Sequence, residues 1–501
     1  MSRAGTLDPS QALACLSRRV QDDPLYRALA ELATQRGVAV HVVGGTVRDA
    51  LLGRGWHDLD VALDASQVAP LARALAEDTA ATLVPLDDRL PTLRVVAEGT
   101  GGRREVDLSG LRGPDLEADL RARDLTVNAL AVPLAPLAAG GPVAVVDPTG
   151  GLADLAHRTL RLPAPEVLAD DPLRALRAHR FAATLGFELA PETRAAIRAN
   201  APLLAGMAVE RVTAELMALA SAPTGGAALT RLWEDGLLAL IVPEVAVMDG
   251  VTQNTFHHLD VLAHTLAACR EVDVLRAAPE RFYGEHGARV GEYLATGDRG
   301  ALVLLAVLLH DVAKPATRFV DAKGVHFHRH ESLGAEMTGA IAERLRLSNA
   351  QTALLVSWVA QHLALKDLIG LHRAGSLPER TVRRFLRRAG EDLIGLVCVV
   401  LADTHATRGP DFPADGERLL LEVSRHLLTQ DAALRADPRA GQPLLRGRDL
   451  IESLGLSPGP ALGRVLAAVE DARLDGEVHD RDQALEWVKR WLETRSAPPE
   501  G

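Results

Sequence analysis

Cysteine is scarce in this sequence of 501 residues, and the three that occur, Cys15, Cys269 and Cys398, are far apart. They show neither the pairing pattern of a disulfide framework nor the close spacing of a metal site, so we expect a reducing compartment, the cytoplasm. Aromatic residues make up only 3% of the chain, while alanine, leucine and arginine are abundant. This composition favours a mostly helical protein.

Long apolar runs are also lacking. The first residues, MSRAGTLDPSQ, contain no apolar signal segment. The run ALVLLAVLLH at 301–310 ends in histidine and is followed by aspartate, far short of a membrane span. We therefore expect no membrane association.

Positive charge is in deficit, because the formal net charge is −11. This excludes a protein coated with nucleic acid through bulk electrostatics. A local basic patch can still follow phosphates, so an RNA substrate stays open.

The length predicts roughly three or four domains. Short β-like runs alternate with helical ones between residue 37 and about residue 147, and the strand pattern nearly disappears beyond 150. We predict an α+β head, in which a mixed sheet packs with helices, followed by an all-helical neck, body and tail. The β-like runs are VAVHVV, DLDVAL, TLRVVAE, REVDLSGL and VAVVD. The predicted limits are 1–36 for a helical extension, 37–150 for the head, 151–250 for the neck, 251–430 for the body and 431–501 for the tail.

The stretch HVVGGTVRDALLGRGWHDLDVAL at 41–63 carries the first chemical pattern. Asp58 and Asp60 are two apart in a predicted strand, so both carboxylates project from the same side. Paired carboxylates can hold Mg²⁺ ions for phosphoryl transfer. Gly44 and Gly45 precede a predicted helix, so backbone N–H groups can face a triphosphate without Cβ obstruction, and Arg48 adds a cation.

Each of these parts alone has an ordinary explanation, because a glycine pair usually marks a turn and an Asp-x-Asp pair a solvated strand end. Together, GGTVRDALLGRGWHDLD resembles the signature of the class II tRNA nucleotidyltransferase and bacterial poly(A) polymerase family over its full length. The resemblance implies a nucleotidyltransferase head in which Asp58 and Asp60 hold Mg²⁺. The implied reaction is attack of an RNA 3′-hydroxyl on the α-phosphate of a nucleoside triphosphate.

Two further head segments resemble the family in order. VDLSGLRG at 106–113 supplies Asp107 as the implied third catalytic carboxylate. EADLRARDLTVNALAV at 117–132 resembles the family's arginine-aspartate-x-threonine-x-asparagine motif, which implies that Arg123, Asp124 and Asn128 lie near the nucleotide's sugar and phosphates. Ala122 stands where the family commonly has arginine, so one cation is missing there.

The segment ADDPLRALRAHRFAATLGF at 169–187 resembles the family's neck helix, which reads the incoming base. Asp170 replaces the usual glutamate, while Asp171 and Arg174 keep the recognition pair. We expect that pair to share one helix face and to mimic a Watson–Crick partner for cytosine or adenine. Arg177 and Arg180 extend the same face towards the triphosphate, although a basic stripe can also be merely solvated.

Most histidines lie in a helical block from about 255 to 410, and this region resembles the HD-domain metal phosphohydrolases. The resemblance implies a divalent metal of unknown identity. Its implied ligands are His264, His310, Asp311 and Asp403, with His330 and His362 as candidates for a second metal position. A single histidine is more often a surface or satisfied core residue than a ligand.

The densest basic run is RTVRRFLRRAG at 380–390, which contains Arg380, Arg383, Arg384, Arg387 and Arg388. The last four are our candidates for contact with an RNA backbone. The alternative is an ordinary solvated helix. Since aromatic residues do not alternate regularly with the arginines to form a stacking platform, we expect recognition of shape and phosphates rather than of base sequence.

The resemblance implies template-independent addition of CCA, or of part of it such as the terminal A, to tRNA 3′ ends from CTP and ATP. A poly(A) polymerase is the near alternative. Another is a phosphohydrolase that acts on RNA ends through the HD site, with the head serving only for binding. A non-catalytic RNA-binding factor is the third. We expect tRNA or other RNA and nucleotides as partners, and no obligate protein partner.

Overall fold

The computed structural model describes residues 8–87, 90–99, 102–436, 443–474 and 476–496. Its residues form two units. The first extends to Thr224 and includes Ala228–Ile241. The second comprises Gly225–Ala227 and continues from Val242.

A six-stranded mixed sheet forms the centre of the head. Its strands are β1 His41–Val43, β2 Asp58–Leu63, β3 Thr82–Asp87, β4 Thr92–Gly99, β5 Gly102–Gly110 and β6 Ala131–Pro133. The spatial order is β3-β4-β5-β2-β1-β6. Strands β2 and β5 are parallel and all other neighbours are antiparallel. The strand β2 therefore has a hydrogen-bonded neighbour on each side.

The helices of the first unit surround this sheet and form the neck. They are α1 Pro9–Asp22, α2 Pro24–Gln35, α3 Gly44–Leu51, α4 Ala65–Thr79, α5 Leu116–Arg121, α6 Leu134–Ala138, α7 Gly151–His157, α8 Val167–Asp170, α9 Leu173–Leu185, α10 Pro191–Asn200, α11 Val209–Ala220, α12 Gly225–Glu234, which straddles the division between the units, and α13 Leu237–Ile241. Short 3₁₀ turns occur at Thr126–Asn128 and Ala201–Gly206. A two-stranded parallel sheet joins β7 Thr159–Leu160 to β8 Glu188–Leu189.

The second unit is almost entirely helical. Its helices are α14 Pro243–Ala246, α15 Val261–Ala277, α16 Pro279–Tyr283, α17 Gly287–Ala295, α18 Arg299–Leu309, α19 Lys314–Thr317, α20 His330–Arg344, α21 Asn349–Gln361, α22 Leu365–Arg373, α23 Glu379–Ala389, α24 Leu393–Ala406, α25 Gly416–Ala436, α26 Gly447–Leu454, α27 Pro460–Leu474 and α28 Arg481–Ser496. Further 3₁₀ turns lie at Gly284–His286 and Gly390–Asp392. One hairpin, β9 Arg318–Asp321 with β10 Gly324–Phe327, interrupts the helices.

This architecture confirms the predicted α+β head and helical remainder, with local differences. The strand DLDVAL is found at its predicted residues, whereas VAVHVV is a strand only from His41. The predicted strand VAVVD is wrong, because only Val146 forms a bridge, to Ala131. The strand β6 at that sheet edge spans only three residues and ends at Pro133, which has no N–H to continue the ladder.

The apolar run at 301–310 forms the interior helix α18, in which every residue from Gly300 to Leu309 is buried. The segment Arg299–Thr317 is long and apolar enough to cross a membrane by length and composition alone, but 83% of its most apolar window is buried inside the protein. A second apolar segment, Asn349–Gln361 with Leu365–Arg373, passes the same test only as a bent pair. Burial within the fold is typical of a core helix.

Helices α1 and α2 brace the loop that leads into β2. Pro24 begins α2, and the Asp23 side chain accepts hydrogen bonds from two backbone N–H groups of its first turn. The Tyr26 hydroxyl donates to the His57 carbonyl at 3.2 Å, and its ring stacks on Trp56 at 5.6 Å. Arg19 lies 3.8 Å above Trp56 and donates to its carbonyl. The N-terminal helices thus hold the two residues before Asp58.

Candidate active site and metal centre

The carboxylates predicted for the head meet on one side of the sheet. Asp58 and Asp60 are two apart on β2. The parallel register with β5 places Asp60 beside Asp107 and Asp58 beside Glu105. Glu105 was missed from the sequence, although its spacing of two from Asp107 on one strand was a visible signal. The structure therefore gathers four carboxylates where three were predicted.

The crowding of these acids changes their titration. Burial, followed by the charge of Asp107, raises the pKa of Asp60 to about 6. Burial and the charge of Glu105 raise the pKa of Asp58 above its ordinary value. The negative charges of these converging carboxylates repel one another, which raises their pKa values. Oxygen ligands of this kind bind a hard divalent cation such as Mg²⁺. The residues present fit that ion.

Arg94 on β4 is a second residue that sequence reasoning missed. Its Nε and Nη2 donate to the two oxygens of Asp107, both at 2.7 Å. Its Nη1 lies 2.6 Å from Glu105, and Nη2 is 3.8 Å from Asp58. Only the register of the β4–β5 hairpin, which pairs Arg94 with Asp107, brings this cation to the acids.

The glycine pair lies directly beside the carboxylates, at the start of α3. Gly44 has φ +66°, a conformation that favours glycine. A Cβ there would lie 3.1 Å from Arg123 Nη1, and one at Gly45 would lie 3.5 Å from Asp60 Oδ2. The glycines therefore leave space between a predicted phosphate-binding arginine and a predicted metal ligand.

Arg123 is held in that place by a buried acid. Its Nε and Nη2 donate to Asp119 Oδ2 at 3.0 and 2.8 Å, and Asp119 is fully buried. Arg112 donates to the other oxygen of Asp119 at 3.1 Å. Sequence reasoning missed Asp119, whose four-residue spacing from Arg123 was the available signal.

A buried polar chain links the remaining head residues to the neck. Arg48 donates to Asn128 Oδ1 at 2.7 Å, and Asn128 donates to Asp124 Oδ1 at 3.0 Å. Asp124 Oδ2 in turn accepts from Arg177 on α9 at 2.7 Å. Burial alone would raise the pKa of Asp124, but Arg177 and Asn128 outweigh it and lower the pKa to about 2. Four predicted nucleotide-binding residues thus form one connected network.

One aromatic ring supports three of the predicted arginines. The guanidinium carbons of Arg48, Arg177 and Arg180 lie 5.0, 5.9 and 4.3 Å from the centre of the Phe181 ring. Arg180 is also fixed by Glu215, which accepts from its Nε at 2.7 Å. Phe181 was not predicted. In a chain so poor in aromatics, its position directly after Arg180 was the only signal.

Asp171 and Arg174, the pair predicted to read the base, are not arranged as predicted. Arg174 lies in α9, but Asp171 precedes that helix with extended backbone, φ −146° and ψ 96°. The prediction that both share a helix face is therefore wrong, and the cause is Pro172, which disfavours helical geometry in the residue before it. Asp171 Oδ2 accepts from Arg211 at 3.2 Å, and Arg174 donates to the Val167 carbonyl at 3.2 Å.

In the helical body, the four predicted HD residues converge. His264 Nε2 lies 3.1 Å from Asp403 Oδ1 and 3.7 Å from Asp311 Oδ2. His310 Nε2 lies 3.1 Å from Asp311 Oδ2 and 3.6 Å from Asp403. Two imidazoles and two carboxylates around one point are a donor set for a divalent metal.

A second group shares the other oxygen of Asp311. Asp311 Oδ1 is 3.5 Å from His330 Nε2 and 4.0 Å from His362 Nε2. The two imidazole nitrogens are 3.3 Å apart. Asp311 is therefore placed to bridge two metal positions, as a carboxylate does in two-metal sites.

Backbone carbonyls orient three of these histidines. The Nδ1 atoms of His310, His330 and His362 each lie 2.7 Å from the carbonyl of the residue three positions earlier. This contact leaves Nε2 directed at the centre, the usual arrangement for a metal-bound histidine. Burial lowers the pKa of His362 to about 3, so it is neutral at pH 7, the form that binds a metal.

His257 and Lys314 join the centre without having been predicted. His257 forms a candidate metal-holding group with His264 and Asp403. Lys314 Nζ lies 2.6 Å from Asp311 Oδ2 and donates to Gln253. The spacing HD-x-x-K was the missed signal for Lys314. A cavity of about 540 Å³, lined also by Lys366, Arg373 and Phe412, opens onto this cluster.

Some arginines of helix α23 are engaged in contacts within the second unit. Arg387 pairs with Asp471 and donates to the Ala467 carbonyl, both on α27. Arg383 pairs with Glu379 at 3.3 Å, and Arg388 lies 5.5 Å from the Phe385 ring. The RNA contact predicted for this helix stays a prediction, and Arg387 has a demonstrable structural role.

Models of three known protein families match successive segments of the chain. Family models match for the poly A polymerase head domain at 40–161, the probable RNA and SrmB- binding site of polymerase A at 186–248, and the HD domain at 281–407. The A-adding tRNA nucleotidyltransferase of Deinococcus radiodurans is 38% identical over 90% of this chain and 95% of its own. The chain belongs to the tRNA nucleotidyltransferase family.

Other members are similar at comparable levels. The CC-adding tRNA nucleotidyltransferase of Thermus thermophilus is 35% identical over 92% of this chain and 95% of its own. A multifunctional CCA protein of Xanthomonas campestris is 32% identical over 82% and 97%. A CCA-adding enzyme in complex with ATP shares the fold with a TM-score of 0.63 at 20% identity, covering 99% of both chains.

A Bacillus stearothermophilus CCA-adding enzyme in complex with CTP gives a TM-score of 0.58 at 25% identity, over 94% of this chain and 99% of that one. The predicted family and the prediction of a nucleotidyltransferase enzyme are thereby confirmed. The assignments of individual tRNA nucleotidyltransferase site residues, like the domain limits, stay predictions.

Proposed function

We propose that the protein adds the terminal adenosine of the CCA sequence to tRNA 3′ ends, using ATP. The observation that carries this proposal is the convergence of Asp58, Asp60 and Asp107 beside the Gly44–Gly45 start of α3. The restriction to one nucleotide is supported by the A-adding relative, which is 38% identical over 90% of the chain.

In this proposal the head residues bind and orient the two reactants. Mg²⁺ held by Asp58 and Asp60 would supply Lewis-acid activation of the α-phosphate and of the RNA 3′-hydroxyl. The N–H groups at Gly44 and Gly45 and the Arg123 guanidinium would hold the triphosphate. Since Asp119 fixes Arg123 beside the glycines, the phosphates meet a cation that is already oriented.

The neck pair supports a choice of adenine or cytosine over guanine or uracil. The Watson–Crick edges of adenine and cytosine each offer an amino donor beside a ring acceptor. Asp171 can accept from the amino group and Arg174 can donate to the ring nitrogen. Because Arg211 holds Asp171 Oδ2, it must release or share that oxygen when the base arrives.

A metal-dependent phosphohydrolase activity of the body is a second proposed function. It is supported by the placement of Asp311 between two histidine groups and by the cavity that opens onto them. Lys314, Lys366 and Arg373 line that cavity and suit a phosphate ester. Its test is hydrolysis of phosphoester RNA ends by wild type and by His310→Ala, with Mg²⁺, Mn²⁺, Co²⁺ or Ni²⁺.

Extension of labelled tRNA transcripts tests the first proposal. Transcripts ending before CCA, after the first C, or after CC receive CTP, ATP or both with Mg²⁺, and products are resolved at single-nucleotide length. We expect one A on the CC end only. Addition of C, C and A, or of long A tails, would overturn the single-nucleotide proposal. Extension by Asp58→Ala equal to wild type would overturn the assignment of the site.

A further inference from the structure

The side chain of Arg94 is bound to the carboxylate of Asp107, the predicted third metal ligand of the head. Both carboxylate oxygens of Asp107 accept from one guanidinium in a forked pair at 2.7 Å. Asp107 is only 16% exposed, so the pair is largely shielded from water. Such forked pairs are among the strongest charge-assisted hydrogen bonds. An aspartate so engaged cannot offer the same lone pairs to a cation.

The location of the guanidinium makes it a competitor of that cation. Its Nη2 is 3.8 Å from Asp58 Oδ2, and its Nη1 is 2.6 Å from Glu105. A divalent ion on Asp58 and Asp60 would therefore stand close to a fixed positive charge. Mutual repulsion at that range favours one cation or the other.

The fold also allows the Arg94 side chain to reach a different partner. Its Cα is fixed directly across from Asp107 by the β4–β5 register, but its side chain is 27% exposed and long. A triphosphate at Gly44 and Gly45 would bring several negative charges to the same side of the sheet. An arginine can exchange a carboxylate for a phosphate with the same forked geometry.

We propose that Arg94 is a positioning residue that holds Asp107 away from the metal until a nucleoside triphosphate draws the guanidinium off. The role of Arg94 in the reaction rests on the proposed nucleotidyl transfer, whereas the metal-binding test below does not depend on it. The consequence is ordered binding: the free enzyme offers the metal two carboxylates, and the third joins only with the nucleotide.

The test is Mn²⁺ binding to the full chain, followed by electron paramagnetic resonance without nucleotide. The head component is the part that Asp58→Asn abolishes, which separates it from any metal in the body. We expect Arg94→Gln to bind head Mn²⁺ at least about five-fold more tightly than wild type. Arg94→Lys should also gain, since lysine keeps the charge but cannot fork across both oxygens.

The controls separate release of Asp107 from simple loss of charge. Arg103→Gln removes a cation that pairs with Glu105 but not with Asp107, and should change the affinity by less than about two-fold. In an Asp107→Asn background, Arg94→Gln should bring a clearly smaller gain, the part that comes from the loss of its positive charge near Asp58. With a non-hydrolysable ATP analogue present, the head Mn²⁺ affinities of wild type and Arg94→Gln should agree within about two-fold.

An Arg94→Gln affinity equal to or weaker than wild type would overturn the proposal, as would a gain of undiminished size in the Asp107→Asn background. If Arg94→Gln fails to fold, Arg94→Lys carries the same comparison, and unfolding of both would also count against a positioning role. These titrations use no tRNA. Their result can therefore be interpreted even if the protein fails to extend tRNA.

Discussion

At the scale of single residues, the buried carboxylate of Asp60 lowers the stability of the metal-free head at neutral pH. Its pKa in the folded chain is about 6, against an ordinary value of 3.8, and burial is the main cause. The folded state therefore binds a proton more tightly than the unfolded chain does. Without metal, its contribution becomes unfavourable as pH rises from about 4 through 6, since ionising Asp60 is harder in the fold.

Replacing Asp60 by asparagine should remove this penalty. In chelator at pH 7, we expect Asp60→Asn to be more stable than wild type by about 1 kcal/mol, and the difference to shrink at pH 4. Nucleotide transfer should fall by about three orders of magnitude. Urea unfolding at both pH values measures the first effect. Asp78→Asn, at an exposed position on α4, is the control, and equal behaviour of the two variants would contradict the explanation.

Gly44 invites a second substitution at this scale. Gly44→Ala forces φ +66° on a residue with a Cβ and pushes that atom to 3.1 Å from Arg123 Nη1. We expect a loss of about 1–2 kcal/mol in stability and a clearly raised KM for ATP. Gly150→Ala is the matched control, because Gly150 has φ +81° but a Cβ added there would meet no heavy atom within 4 Å. A KM change of the same size in both variants would rule out a specific role for the Arg123 contact.

At the scale of helices and strands, the pieces that the sequence predicted are those fixed by local chemistry. DLDVAL alternates correctly, with Leu59, Val61 and Leu63 buried on one side and the two aspartates partly exposed on the other, so its limits and the side of its aspartates were predictable. Arg94 and Glu105 were not predicted, because their approach to Asp107 depends on which strands pair and in what register. Asp171 was misplaced by helical periodicity, although Pro172 already opposed it.

The N-terminal helices offer a prediction at this scale. Tyr26→Phe removes the hydroxyl that holds the His57 carbonyl, one residue before Asp58. We expect a stability loss of about 1 kcal/mol and a several-fold lower kcat, because the His57 carbonyl that leads into β2 is no longer held. Steady-state kinetics and thermal unfolding measure both. Arg27→Gln, exposed on the same helix, should leave kcat unaltered. A Tyr26→Phe enzyme with normal kcat would contradict the bracing role.

At the scale of the whole molecule, the described part of the chain carries a candidate set of metal-binding side chains in each unit. The head set consists of oxygen ligands, which suit Mg²⁺. The body set mixes imidazole and carboxylate, which suits transition metals. Burial lowers the pKa of His257 to about 3, while the acids Asp311 and Asp403 outweigh burial at His310 and raise its pKa to about 10. A metal in the body must therefore displace a proton from His310.

Metal content should report the two positions in the body. We expect two transition-metal ions per chain in wild type, about one in the His330→Ala, His362→Ala double variant, and a loss of both in Asp311→Ala, since Asp311 is shared. Mass spectrometry of the purified protein after Mn²⁺ or Ni²⁺ loading measures this, with Asp58→Asn introduced into every protein so that no ion in the head is counted. His326→Ala, outside the shared groups, is the control. Two ions retained by the double variant would refute the second position.

The placement of β2 inside the sheet also determines how the enzyme should lose activity on heating. The backbone of Asp58 and Asp60 pairs with β5 on one side, and on the other side Thr46 of α3 accepts from the Asp60 N–H and donates to the Asp58 carbonyl. The amide protons of β2 can therefore exchange readily with solvent only when the sheet opens. Loss of activity should then coincide with global melting of the first unit, without an earlier phase from local fraying. Slow amide exchange along Leu59 to Leu63 would be a direct record of that coupling.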